Sequence, residues 1–184
     1  MQRHHRRLFS FLALSVAAGA SLATSEGFVP TDCGLSTGPT LSLADGDTSS
    51  NSFSVSYSLA EDVTYDVDVS VDMQVVSSAD GPEIEATLLS SSGDVVASAT
   101  VFDPEKVSTL FMSEYLNNET VDCADVLAGC TVNYTVEVVV VGGSAELSWE
   151  ARAQVWTNSE TEESVSAEVQ VSIDGGTESD CTGG

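Results

Sequence analysis

The chain has 184 residues, of which 42% are hydrophobic, and a formal charge of −24. Behind residue 7 only Lys106 and Arg152 face 29 Asp and Glu, so that part carries −27 and has no histidine. This composition excludes a His general base, Ser-His-Asp and Cys-His pairs and imidazole-ligated metals, and it leaves no basic groove for nucleic acid.

In chain order, residues 1–23 read as a cleaved signal peptide. A basic run from Arg3 to Arg7 precedes an apolar stretch from Leu8 to Ala18, followed by the small-x-small sites Ala18-Gly19-Ala20 and Ser21-Leu22-Ala23. The apolar stretch is shorter than the about 20 residues a spanning helix needs. Arg6-Arg7-Leu8-Phe9 has the look of a twin-arginine leader, and the same basic run also serves general secretory export. Either route implies a secreted or cell-envelope protein, outside the cytoplasm, with no membrane insertion. Residues 24–38, rich in Gly, Ser and Thr, read as a polar leader, and 39–181 as a single β-sandwich domain. The hydrophobic content separates this chain from disordered acidic segments, which lack it.

Leu41 and Leu43 begin a series of period-2 segments. Phe53, Val55, Tyr57 and Leu59 alternate with serines, and Val63 to Val75 alternates with Thr64, Asp66, Asp68, Ser70, Asp72 and Gln74. Successive strand side chains point to opposite faces, so one face is apolar and the other acidic or hydroxylated. Ile84, Ala86 and Leu88 turn at Ser91-Ser92-Gly93-Asp94 into Val95, Ala97, Ala99 and Val101. The period then breaks. Asp103-Pro104-Glu105 is a helix start, and Val107, Leu110, Phe111 and Tyr115 fall near one helical face, which predicts a short helix over 104–116. An irregular crossover is the alternative. Val132 to Val140 leads to Gly142-Gly143, a hairpin signal, with Ala145 to Val155 as the partner strand and Val165 to Ile173 as the last. One-sided strands need a second sheet over their apolar faces, so the expected fold is all-β, an antiparallel β-sandwich of about eight strands. An outer-membrane barrel also alternates, but the 7% aromatic content offers no interfacial girdles.

Four cysteines in an exported chain predict two disulfides: Cys123–Cys130 around a short loop and Cys33–Cys181 across the domain ends. Acids at 66, 68, 72, 83, 85, 137, 146, 150 and 168 fall on polar strand faces, dispersed as adaptation to saline surroundings predicts. The sharpest metal hypothesis is calcium at Asp45, Asp47 and Asn51, with oxygen side chains at alternate positions. Ser50 and Ser56 stand where an EF-hand needs Gly and a bidentate Glu, so that motif is rejected, and an ordinary Asp-Gly turn is the competing reading. No other cofactor is indicated. Chance carboxylate pairs are inevitable among so many acids, so nothing marks a catalytic pair, and the chain reads as a non-enzyme. Asn118-Glu119-Thr120 and Asn133-Tyr134-Thr135 are sequons. Trp149 follows the core parity, whereas Trp156 falls on the polar parity, where a ring can stack on sugars.

The sequence thus predicts a secreted or envelope-surface β-sandwich acting as a structural or binding module with an acidic, salt-adapted surface. Its partner would be an extracellular ligand or envelope component, carbohydrate among them, and not nucleic acid. The alternative is a carboxylate-based glycan-active enzyme or a calcium-dependent carbohydrate-binding module.

Overall fold

The computed structural model describes residues 28–77, 81–102, 107–117, 123–158 and 165–181. The expected signal peptide, the expected helix start at Asp103-Pro104-Glu105 and the sequon at Asn118 lie outside these residues. Eleven strands form: β1 (Phe28–Thr37), β2 (Leu41–Leu43), β3 (Thr48–Leu59), β4 (Thr64–Ser77), β5 (Glu83–Ser90), β6 (Val95–Val101), β7 (Val107–Asn117), β8 (Cys130–Val141), β9 (Ala145–Asn158), β10 (Ala167–Ile173) and β11 (Thr177–Asp180). Sheet A has the order β11-β1-β9-β4-β7, with β2 also paired to β9, and sheet B has the order β10-β3-β8-β5-β6. All pairs are antiparallel.

The pairings are nested. β5 pairs β6, β4 pairs β7, β3 pairs β8, and β1 pairs β9, as in one long hairpin rolled up on itself. Rolling then brings β9 beside β4 and β8 beside β5, which makes the two sheets of a jelly roll. Alternation decides what meets between them. Val67, Val69, Val71, Met73 and Val75 of β4 face inward, as do Phe53, Val55, Tyr57 and Leu59 of β3, all at most 5% exposed. Phe53 stacks on Tyr134 at 5.1 Å between ring centroids and meets the edge of Trp149 at 6.4 Å. Beyond Trp149 the next two inward residues of β9 are Ala151 and Ala153, both fully buried, and such small side chains leave room for large rings.

Three sequence expectations are corrected. Residues 107–117 form strand β7, not a helix: Leu110, Met112 and Leu116 point into the core while Phe111 and Tyr115 point out, a period of two. The helical spacing of Val107, Phe111 and Tyr115 arose because all three share the outward parity of one strand. Residues 28–37 are not a leader but strand β1, which takes its hydrogen bonds from β9 and β11 and so needs little hydrophobicity of its own. Gly142-Gly143, with φ of 73° and 89°, turns the chain from sheet B to sheet A, not through a hairpin. Periodicity marks the apolar face of a strand but does not name its neighbour. The eight segments that begin at Leu41, Phe53, Val63, Ile84, Val95, Val132, Ala145 and Val165 do contain strands.

Both disulfides join the expected residues. Cys33 and Cys181 have Cα atoms 5.8 Å apart, and Cys123 and Cys130 5.6 Å apart, within the ordinary range. The register of β1 on β11 sets Gly34 opposite Asp180, so Cys33 and Cys181 follow as the next pair. Closing 148 residues contributes about 5 kcal/mol by chain-entropy arithmetic, and the short loop about 2.

On this side β1 lies hard against β10. A Cβ at Gly34 would come 3.0 Å from both the Val169 carbonyl oxygen and the Val171 nitrogen, which are backbone atoms that cannot swing away. The Asp32 carboxylate accepts the Val169 amide at 3.1 Å and occupies a donor on the outer edge of β10. Gly34→Ala should therefore lower unfolding free energy by about 1–3 kcal/mol, the usual cost of overpacking. Urea denaturation measures it, and an unchanged midpoint would show that the β1–β10 seam is loose.

Candidate functional site

The outward face of sheet A collects the chain's unusual surface groups. Register sets Asp66 between Trp156 of β9 and Asn117 of β7, Asp68 between Gln154 and Tyr115, Ser70 between Arg152 and Ser113, and Asp72 between Glu150 and Phe111. Directly opposed strand side chains have Cβ atoms about 5 Å apart, so these rows are in mutual reach. The Tyr115 hydroxyl donates a short hydrogen bond to Asp66 Oδ2, one diagonal step away. Flanked by the indole and the phenol, Asp66 is only 8% exposed although it points away from the core. Tyr115 itself is 61% exposed.

Electrostatics follow from this placing. The hydrogen bond to Asp66 is the main reason the Tyr115 phenol is pushed up to about 12; partial burial and the charges of Asp66 and Asp68 add to it. Burial raises the Asp68 carboxyl above its ordinary value, opposed by Arg152, the one arginine behind residue 7. Further along the face a groove of about 420 Å³ is lined by Thr37, Asp72, Gln74, Thr109, Ser148 and Glu150. From Asp66 to Asp72 the strand advances roughly 20 Å, at about 3.3 Å per residue. The face is therefore a strip with aromatics and a shielded carboxylate at one end and a polar groove at the other. It offers flat rings for stacking and carboxylate, amide and guanidinium groups for hydrogen bonds.

Sheet B presents a different exterior. Ser52, Ser54, Ser56 and Ser58 stand beside Thr131, Asn133 and Thr135 on β8 and Glu168, Gln170 and Ser172 on β10. Grooves of about 680 and 590 Å³ cross this face. Several of its groups already satisfy one another: Ser56 with Thr131 at 3.0 Å, Ser52 with Thr135 at 3.4 Å, and Gln170 Nε2 donating to Glu178 at 3.0 Å. The sequon at Asn133 lies here, on an exposed position of β8.

Asp45 and Asp47 come together in the turn between β2 and β3. Asp47 Oδ2 accepts the Ala44 amide at 2.8 Å, and Asp45 Oδ1 accepts the Gly142 amide at 2.6 Å, which ties this turn to the β8–β9 corner. Asn51 is already within β3, and its amide donates to Ser49 Oγ at 2.9 Å. Among the described residues no group of three or more His, Cys, Asp and Glu side chains is placed to hold a metal ion. Both carboxylates thus accept backbone amides, Asp47 within its own turn and Asp45 across to the neighbouring corner. Glu83, Glu85, Glu137, Glu146 and Glu168 are exposed, as their parity predicted.

The sequence marked Asp66, Asp68 and Trp156 as outward but missed Tyr115, which had been placed on a helix face. The signal available was the Phe111-x-x-x-Tyr115 pair read with period two beside buried Leu110, Met112 and Leu116.

The tyrosines provide a test. Burial is the chief reason that Tyr57 and Tyr134 are raised far beyond the ordinary phenol value, with Tyr65 acting further on the first and Glu114 and Tyr57 on the second. Their hydroxyls make no hydrogen bond of good geometry. The folded pKa of Tyr115 is above its unfolded value of 10.0, so its contribution to stability is intact below pH 10 and disappears as pH climbs toward 12. Phenolate absorbance of the folded protein should show one transition near pH 12 that Tyr115→Phe removes, while Tyr57 and Tyr134 ionise only on unfolding. Persistence of that transition in the variant would assign it to another tyrosine and overturn the raised Tyr115 phenol.

No protein-family model and no curated protein matches the chain. Among solved structures it is similar to a chain of infectious bursal disease virus, Gx strain, at 12% identity and TM-score 0.33, covering 76% of this chain and 36% of that one. A chain of broad bean stain virus gives 10% identity and TM-score 0.35 over 81% of this chain and 91% of that one. A lipoprotein of Bacteroides thetaiotaomicron gives 11% and 0.22 over 75% and 92%. The chain spans about a third of the bursal-disease-virus chain, and likenesses this faint say nothing of what it does.

Proposed function

We propose that this chain is an exported structural and binding module of the cell surface or extracellular space, holding a glycan strand along the outward face of sheet A. The observation that carries this reading is Asp66, a carboxylate shielded on an exterior face between Trp156 and Tyr115. Aromatic rings match the apolar faces of sugar rings, and fixed carboxylate and amide groups match their hydroxyls. Export is supported by the leader and by two disulfides, which persist in oxidising compartments. No helix among the described residues is long and apolar enough to cross a membrane.

Affinity electrophoresis through gels holding neutral polysaccharides tests the ligand. At least one polysaccharide should retard the protein; Trp156→Ala should abolish the retardation and Asp68→Asn reduce it several-fold. Equal retardation of wild type and Trp156→Ala would reject this face as the site. New reducing ends in the same samples would transfer the reading to a glycan-active enzyme.

The acidic remainder is adapted to salt. The part behind residue 7 carries −27, its charges repel one another, and the screening length shrinks from about 10 Å at 0.1 M to about 3 Å at 1 M salt. The melting temperature should therefore rise steadily between those NaCl concentrations. It should also rise as pH falls into the carboxylate range. Carboxyls raised in the folded state, such as Asp68, bind protons more tightly there, so their penalty grows as pH climbs through the folded pKa and vanishes below the unfolded one. A melt insensitive to both would exclude repulsion as the governing electrostatic effect.

A further inference from the structure

The two sides of the sandwich are unlike. One is sealed, because β1 packs on β10, Asp32 binds the Val169 amide and Cys33–Cys181 fastens the end. The other ends in β6 and β7, which among the described residues pair only with β5 and β4. Among the described residues, six of the eight exposed large hydrophobic residues gather there: Val76, Val95, Phe102, Val107, Phe111 and Tyr115. The same side is free of exposed charge on its strands. β6 carries none, and the one charged residue of β7, Glu114, lies on the inward parity. Long uncharged apolar edges invite strand addition, and native sheets usually block them with charge, proline or a bulge. β7 is eleven residues long and has none of these on its outward positions; the one charge that could guard this edge is the inward-parity Glu114.

We infer that β7 is a self-association edge, on which a second copy of this chain pairs antiparallel about a twofold axis. Two features favour a second copy over a foreign strand. First, the sequence is self-complementary in one register. With Phe111 opposite Phe111 of the partner subunit, Val107 meets Tyr115 of the partner subunit and Thr109 meets Ser113 of the partner subunit on the outward face. On the inward face Leu110 meets Met112 of the partner subunit. Every large residue of the strand's middle then has a large or matching partner, on the correct face for continuing both sheets. Second, two molecules of this charge approach most readily along a line that opposes no carboxylates, and the outward positions of β7 supply such a line. The pairing is independent of the glycan reading, although it would set two binding faces side by side on one continuous sheet.

Repulsion between two such copies opposes the contact, so association should tighten with salt. Sedimentation equilibrium of the mature chain across NaCl concentrations is the experiment, with circular dichroism to establish that each variant is folded. The expected result is a monomer–dimer equilibrium whose dissociation constant falls at least tenfold between about 0.1 and 1 M NaCl. Phe111→Lys and Phe111→Asp should each dissociate the dimer. An equimolar mixture of the two should reassociate, because the register sets these positions face to face. Val107→Lys serves the same purpose should a Phe111 variant unfold. A monomer at every salt concentration would overturn the proposal, and so would a dimer indifferent to Phe111→Lys. Failure of the mixture to reassociate would overturn the register and the twofold pairing with it.

Discussion

Apolar contact between two valine-rich sheet faces is the interaction on which the rest of this molecule depends. The outer faces are acidic or hydroxylated, and with two cations behind residue 7 no network of ion pairs can bind them together. Burying a Val or Leu side chain contributes about 1.5–3 kcal/mol. Val55, Val67, Val69, Val71, Val75, Val138 and Val140 are each fully buried between the sheets. The nested pairing multiplies that contact, because each turn of the rolled hairpin lays one strand in sheet A and the next against it in sheet B. Two disulfides add to it from the unfolded side by restricting the open chain.

The same constraint divides the surface by task. A face that pairs one strand with two neighbours can carry any side chain on its outward parity, so sheet A can hold Asp66 between two aromatic rings and sheet B can hold a field of serines and threonines. The sandwich edges have less freedom. On one side a glycine, a carboxylate and a disulfide close the gap between β1 and β10. On the other β6 and β7 end without such devices and keep their exposed positions uncharged.

Redox pairing and fold class were legible in the linear sequence for local reasons. Alternation is written residue by residue, so the parity of Val67 and Asp68, or of Leu147 and Glu146, needs no knowledge of neighbours. The cysteine pairing was readable because a short spacer and two chain ends leave little choice. The site was half legible. Asp66, Asp68 and Trp156 were outward by parity, but the shielding of Asp66 requires Tyr115, which lies 49 residues away along the chain. Asp45 and Asp47 read as an Asp-Gly turn first and as calcium ligands second; that the Gly142 amide, 97 residues distant, donates to Asp45 is a contact no local window contains.

The sequence by itself determined that this protein is all-β, disulfide-bonded, acidic and without histidine chemistry behind residue 7, because those properties follow from composition, period and spacing. Only the tertiary structure decided which strands are neighbours. It made 107–117 a strand instead of a helix, since Val107, Phe111 and Tyr115 match both periods until Leu110, Met112 and Leu116 find the core. It made β1 a strand from an unpromising polar segment, since its stability comes from the partners β9 and β11. It turned Gly142-Gly143 into a corner between sheets, since a glycine pair permits the turn but does not choose its direction. Neighbour choice is a sum over long-range contacts, and no window of local sequence contains that sum.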